Sequence, residues 1–202
     1  MKLYDNPNCP FAQKVRIVLV EKELEFDSEI IDLARGQQRT EEFLRLNPFG
    51  KVPVLIDEDC VMYESSVITE YLNDEYPHPP DLLPEDSAQR ARVRLLADFA
   101  DRAFTLPAMA VERELASPER DEARLTAARD VITKTLAMLE RELEGKEYLG
   151  GEFSMADVAF APSLLQLDNL GVAIDDGLVN VKAWSRRLAA RPSVGAVVKL
   201  VA

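Results

Sequence analysis

Histidine and cysteine are the scarcest chemistry in this chain, which has one His, His78, and two Cys, Cys9 and Cys60, in 202 residues. Two cysteines do not build a disulfide framework, and a single histidine leaves no zinc-ligand spacing, so no metal is expected. A Cys–His nucleophile pair could draw only on His78, which sits in the proline-rich stretch YPHPPDLLP. Glycine is thin too, and no Gly-rich phosphate loop or internal repeat is present. No run of roughly eighteen apolar residues occurs, and the opening MKLYDNPN lacks an apolar stretch of signal-peptide length. The chain therefore reads as soluble, unexported and cytoplasmic, with no membrane partner. Positive charge is also short: 24 Lys and Arg face 36 Asp and Glu, a formal charge of −12. That argues against direct nucleic-acid binding, because a phosphate-tracking surface needs an excess of cations. A protein partner with a basic surface stays open.

What is present is a folded composition, 47% apolar, written in two grammars. Up to residue 76 the patterns change quickly. Leu3 and Tyr4 open a short strand, and Val15, Val18 and Leu19 fall at helical spacing. LEFDSEII then alternates, with Leu24, Phe26 and Ile30 on one side, which predicts a half-buried strand. RTEEFLRL reads as a short helix, VPVLID and CVMY as strands, and SSVITEYLNDEY as a further helix. The order β-α-β-α-β-β-α predicts an α/β domain over residues 1–76. Residues 77–84, PHPPDLLP, hold four prolines and form a semi-rigid linker. Over 85–202 the helical period takes over, as in Leu125, Ala128, Ile132, Leu136, Leu139 and Leu143. FSMADV carries a capping box, Ser154 with Asp157, and Phe153 and Val158 are placed to form a hydrophobic staple. NVKAWSRRLAA and SVGAVVKLVA, split by Pro192, close an all-helical second half.

In NPNCPFAQKVRIVLVEK, Pro10 suits the first helical position, where its missing N–H costs nothing. Cys9 is then the N-cap, beside free backbone N–H groups and the positive end of the helix dipole. At its ordinary pKa of about 8.5 a thiol is only slightly ionised at neutral pH. The dipole contributes about 0.3–1 kcal/mol, too little alone to ionise it, so a thiolate there also needs hydrogen bonds from those amides. Two readings stand, a reactive thiol or a small buried hydrophobe. Cys60, in a strand beside Val61, reads as inert packing. Position 12 is alanine, so no C-x-x-C exists, and a redox role for Cys9 requires its second thiol from a small molecule.

Two further fragments bear on such a molecule. In LNPFGKVPVL, Pro53 opens a strand and cannot donate to a ladder, so it belongs at an edge or a bend. A cis bond there would turn the N–H and C=O of Val52 outward, where a short peptide could pair with them. In MYESSVITEYL, Glu64, Ser65 and Ser66 precede an apolar helix. Ser65 can be a plain cap, or the helix start can bind a carboxylate while Glu64 takes an ammonium.

CPFAQKVRIVLVEK, NPFGKVPVL and YESSVITEYL, in this order and at these separations, resemble the glutathione transferase superfamily, and within it the omega-type, cysteine-using branch. The resemblance runs essentially end to end. It implies an α/β thioredoxin-like N-terminal domain followed by an all-α C-terminal domain, with glutathione as cosubstrate. It further implies that Cys9 is the catalytic thiol and that Phe11 lies beside the bound thiol. Val52, with cis-Pro53, would pair with the cysteinyl backbone, and Glu64 and Ser65 would hold the γ-glutamyl end. Arg39, at the start of the second helix, matches a position that reaches the glycyl carboxylate in some relatives, and Lys51 rivals it for that role.

Under this resemblance Cys9 attacks the glutathione-side sulfur of a mixed disulfide, and a second glutathione regenerates it. Relatives of this type also reduce dehydroascorbate. Conjugation to electrophiles instead uses a Tyr or Ser, for which Tyr4 is the nearby candidate. The second substrate would lie between the domains, with walls that include side chains around Phe99, Arg102 and Phe104, although at helical spacing those positions read first as core or interface. Relatives are usually homodimers, so a homodimer is expected. The Tyr76–Pro80 run also resembles the linker of stringent starvation protein A, a transferase-fold regulator that binds RNA polymerase. A non-catalytic regulator is therefore the alternative reading.

Overall fold

The computed structural model describes residues 1–198. Among these the chain divides into two compact units, Met1–Asp81 and Leu82 onward. The last four residues of the expected SVGAVVKLVA helix lie outside the described residues; within them, α9 spans Pro192–Val197.

In the first unit, β1 (Lys2–Asp5), α1 (Pro10–Glu21) and β2 (Asp27–Ile30) form a parallel crossover. A 3₁₀ turn (Gln37–Arg39) and α2 (Glu41–Leu46) lead to the antiparallel strands β3 (Val54–Asp57) and β4 (Cys60–Tyr63), and α3 (Ser65–Glu75) closes the unit. The strand order is β2-β1-β3-β4, the mixed sheet of a thioredoxin-like domain. Period-two alternation sends the paired Leu3 and Leu55 to one face of the sheet, while their neighbours Tyr4 and Val54 join Ile31, Phe43 and Val52 in a separate apolar cluster. α1 and α3 pack on each other and supply Val15, Val18, Leu19, Ile68 and Leu72 to the core. Arg16 Nη1 donates to the buried Asp5 Oδ2 at 2.7 Å and ties α1 to the end of β1.

Two expectations are corrected here. β2 is not half buried: all four residues are exposed, with Ile30 at 52%. It is an edge strand with one ladder neighbour, and the residue that turns inward is Ile31, whose N–H donates to Asp5 O at 2.8 Å. Cys60 is not packed either; it starts β4 at the sheet's other edge and is exposed.

The proline-rich stretch is anchored by a residue far from it in sequence. Lys22, at the end of α1, is buried, and its Nζ donates to Tyr76 O at 3.2 Å and His78 O at 2.8 Å. Asp81 stands 3.9 Å away. Burial pushes the Lys22 pKa down from its ordinary value, against the pull of Asp81 and Asp74. Both Val52–Pro53 and Pro79–Pro80 are cis.

Among its described residues the second unit is helical apart from two isolated bridges at 148–152. It comprises α4 (Ser87–Ala100), a π turn (Asp101–Thr105), α5 (Leu106–Ala116), α6 (Glu122–Glu142), α7 (Met155–Leu164), a 3₁₀ turn (Leu167–Leu170), α8 (Val179–Ala190) and α9. The π turn has a local cause. Pro107 has no N–H to offer Ala103 O four residues back, and Leu106 N–H bonds instead to Asp101 O. The released Ala103 carbonyl is satisfied from α6 by Thr135 Oγ1 at 3.2 Å. The capping box forms at Ser154 and Asp157, and all ten residues of α7 are buried. Phe104, Phe160 and Trp184 make an edge-to-face aromatic series, with centroids 5.3 and 5.7 Å apart. Phe104 is therefore a core residue rather than a substrate-facing one, whereas Arg102 is exposed and pairs with Asp98 on its own helix.

Candidate functional site

Cys9 occupies the N-cap of α1 with extended backbone, φ −83° and ψ 118°, and Pro10 follows as the first helical residue. Its N–H donates to Asn6 O at 2.9 Å and its carbonyl accepts from Gln13 N at 2.9 Å. The preceding loop is held by side chains. Asn6 Oδ1 accepts from Asn8 N at 3.0 Å, Asn6 Nδ2 donates to Ile31 O at 3.0 Å, and Gln13 Nε2 donates to Pro7 O at 2.7 Å. The cysteine's side chain does not make the usual N-cap hydrogen bond. It is partly buried and packs against the cluster of Ile31, Phe43, Val52 and Val54.

That cluster brings Cys9 and Val52 together. Val52 is reached through a turn built on Asn47, a buried residue whose Nδ2 donates to Lys51 O at 2.7 Å and whose Oδ1 accepts from Phe49 N at 3.0 Å. Gly50, at φ +60°, must be glycine: a Cβ there would stand 2.9 Å from Gln38 O. The 47–51 turn thus abuts the 3₁₀ turn that carries Arg39. Pro53 precedes β3, an interior strand, so it marks a bend at a strand entrance rather than a sheet edge. Arg39 ends the 3₁₀ turn, two residues before α2, whose N-cap is Thr40; Arg39 and Lys51 are both exposed.

Glu64 is the N-cap of α3 with φ 70° and ψ 113°. A non-glycine residue at positive φ costs roughly 1–3 kcal/mol, and such positions concentrate where chemistry or binding needs a fixed direction. Glu64 is exposed, Ser65 is buried, and Ser66 accepts a hydrogen bond from the buried Lys14 of α1, Nζ to Oγ at 2.9 Å. Phe11 is half buried, its ring centroid 6.0 Å from the same Nζ. Tyr4 stacks edge-on to Phe43 at 6.2 Å and lines a cavity of about 260 Å³ with Glu29, Gln37 and Thr40. No group of three or more His, Cys, Asp or Glu is placed to hold a metal among the described residues. Nor, among them, is any helix long and apolar enough to cross a membrane.

Sequence reasoning missed Lys14, Gln13 and Asn47. The Asn-Pro pair in LNPFG is a turn signal that could have exposed Asn47. A lysine at the head of KVRIVLVEK, Lys14, gives no sign of being buried.

A sequence model for the glutathione S-transferase N-terminal domain matches residues 8–75, and one for its C-terminal domain matches residues 119–187. Glutathione S-transferase 3 of Zea mays is 34% identical over 201 residues, covering 96% of this chain and 90% of that protein. The chain belongs to the glutathione S-transferase family. Within it, a stringent starvation protein A homolog of Coxiella burnetii is 35% identical over 175 residues, or 86% of this chain and 79% of that one. Among solved structures, the theta class glutathione S-transferase of Xanthomonas axonopodis pv. citri, with glutathione bound, superposes with a TM-score of 0.90 at 27% identity, covering 99% and 97% of the two chains. A serine-to-cysteine mutant of poplar glutathione transferase F1 gives 0.87 at 30% identity, over 98% and 96%. The expected architecture is thus the observed one, and the chain has relatives named both as glutathione S-transferases and as stringent starvation protein A homologs.

Proposed function

We propose that this protein is a glutathione-dependent thiol transferase that works through Cys9. The observation that carries the reading is the placement of Cys9 at the start of α1, against the apolar cluster that also contains Val52. A bound glutathione would lie with its cysteinyl backbone along Val52 beside cis-Pro53. Its γ-glutamyl end would sit at Glu64 and Ser65, its thiol beside Phe11, and its glycyl carboxylate toward Arg39 or Lys51. Support for the cosubstrate comes from the Xanthomonas relative, whose structure holds glutathione.

The Cys9 thiolate attacks the glutathione sulfur of a mixed disulfide. The S–S bond breaks, the substrate leaves as its thiolate and takes a proton, and Cys9–S–S–glutathione remains. A second glutathione, as thiolate, attacks that disulfide and leaves as glutathione disulfide, returning Cys9. No resolving cysteine is needed, which fits Ala12. The test is glutathione-dependent reduction of a small mixed disulfide by wild type and Cys9→Ala. Loss of turnover in the variant is expected. Turnover that survives moves the chemistry to glutathione's own sulfur, with Tyr4 as its support. The proposal includes a cytoplasmic homodimer, which sedimentation would check.

A second reading is favoured by the stringent starvation protein A homologs among the relatives. In it the chain is a non-catalytic regulator that binds RNA polymerase, and the 77–84 stretch is part of the contact. A thermal shift with added glutathione separates the two, since a working site raises the melting temperature with ligand. No shift, with retention on immobilised RNA polymerase, would favour the regulator.

A further inference from the structure

We propose that the open edge of β2 binds an extended basic segment of a partner protein, which joins the sheet as a further strand and seats a lysine or arginine in the cavity beside α2. Among the described residues β2 pairs with β1 alone, and all four of its residues are exposed. Asp27 N–H donates to Met1 O at 3.1 Å, and Ile31 N–H to Asp5 O at 2.8 Å. In a parallel ladder alternate residues turn both backbone groups to the same neighbour, so Ser28 and Ile30 present theirs to the open side.

The two faces of this edge differ in chemistry. Tyr4 is the register partner of Glu29, and Leu3 that of Ser28. Asp27 and Glu29 therefore share the Tyr4 face, and Ser28 and Ile30 the Leu3 face. The edge offers carboxylates on one side and, at the 52% exposed Ile30, apolar surface on the other. On the carboxylate side, Tyr4, Glu29, Thr40, Glu42, Phe43 and Leu46 line the cavity of about 260 Å³. Its ring and aliphatic carbon suit the stem of a long basic side chain, and its carboxylates suit the head. Lys2 already shows this chemistry within the chain: its Nζ stands 2.5 Å from Glu29 Oε2 and 4.8 Å from the Tyr4 ring centroid. An incoming cation meets Glu42 and the other oxygen of Glu29.

Charge on an edge strand ordinarily deters pairing, and here it deters a second copy, because two β2 edges would set carboxylate against carboxylate. A basic strand reverses the sign. Alternating cationic and apolar residues match the two faces, and main-chain bonds to Ser28 and Ile30 add affinity that does not depend on sequence. The chain's net charge of −12 speeds encounter with such a segment.

The experiment is amide exchange, read residue by residue by NMR on the full chain, with a short peptide of alternating lysine and valine. Two control peptides are alternating glutamate and valine, and the same lysines and valines sorted into two blocks. With the first peptide at about ten times its Kd, exchange at Ser28 and Ile30 should slow about tenfold, because only the unbound fraction exchanges. Asp27 and Ile31, already bonded to β1, should not change, and neither control should protect Ser28 or Ile30. Ile30→Pro removes an outward N–H where an edge strand tolerates proline, and should abolish the protection of Ser28. Glu42→Lys sets a like charge at the cavity and should weaken the peptide at least about tenfold. If Ile30→Pro does not fold, Glu42→Lys decides, and unchanged binding by it overturns the proposal. Equal protection by the block peptide would mean charge attraction alone, and protection without peptide that grows with protein concentration would mean a second copy; either overturns it. So would a peptide that leaves both amides exchanging as before.

Discussion

The indole of Trp184 donates to the buried carboxylate of Asp157, Nε1 to Oδ1 at 2.8 Å. The same carboxylate accepts from Leu149 N, Ser154 N and Ser154 Oγ at 3.0, 3.0 and 2.9 Å. One side chain thus joins the start of α7, the bridge-forming turn before it and the middle of α8. Burial pushes the Asp157 pKa up from its ordinary value, and the hydrogen bonds pull the other way.

Asp157→Ala strands two backbone N–H groups and an indole N–H. At about 1–3 kcal/mol for each orphaned buried donor, the loss should be at least about 3 kcal/mol. Trp184→Phe, which removes one donor and some volume, should cost less. Urea denaturation would measure both, and an Asp157→Ala midpoint equal to wild type would refute the account.

Asp57 Oδ2 accepts from Tyr71 OH at 2.9 Å and Tyr76 OH at 2.5 Å. The hydrogen bond to Asp57, followed by burial, pushes the Tyr76 pKa up to about 12. Burial first, then the same carboxylate, raises Tyr71 as well. A raised folded-state pKa means the folded protein keeps the proton longer than the unfolded chain. The contribution is complete below about pH 10, the ordinary tyrosine value, and is lost as pH rises towards 12. Of the five tyrosines, two should therefore escape phenolate formation near pH 10 and ionise late or with unfolding. Phenolate absorbance during an alkaline titration reads this directly, and Asp57→Asn should bring both tyrosines down. Five tyrosines titrating together in the folded protein would contradict it.

Glu64 pairs backbone strain with an exposed carboxylate. Glu64→Gly relieves the φ of 70° and should leave stability equal or raise it by up to about 1 kcal/mol, while removing the partner for the ligand ammonium. Gained melting temperature with lost glutathione binding is the expected pair of results. A stability loss above about 1 kcal/mol would mean that the side chain holds the fold, against this view.

The two cysteines should separate chemically. Cys60 is exposed and Cys9 half buried, so iodoacetamide should modify both, and glutathione should protect only Cys9. Cys60→Ser should keep full mixed-disulfide turnover. Turnover that falls with Cys60→Ser would assign it a role that its place at the sheet edge does not explain.

Much of this was legible because it depends on local rules. Cys9 and Pro10 announced a helix start, Ser154 and Asp157 a capping box, and Val52-Pro53 a bend before a strand. The rest depends on partners distant in sequence. LEFDSEII alternates convincingly, yet only Asp27–Ile30 forms the strand, and at the sheet edge its one apolar residue, Ile30, is exposed. Pro107 could be read as a helix breaker; that the freed Ala103 carbonyl finds its partner in Thr135, from another helix, could not. Lys14 and Lys22 look like surface charges of an amphipathic helix, and both are buried by contacts that no window of sequence contains. Arg39 and Lys51 end in neighbouring turns, which spacing alone did not reveal.

The Lys22 contact decides where the chain can be cut. A fragment ending at Tyr76, as the change in sequence pattern suggests, would strip His78 O and Asp81 from a buried ammonium and leave only Tyr76 O beside it. A fragment ending at Asp81 keeps all three. The prolines that look like a tether belong in part to the first unit as its closing clasp, and that unit keeps the clasp only when it runs on past α3 to Asp81.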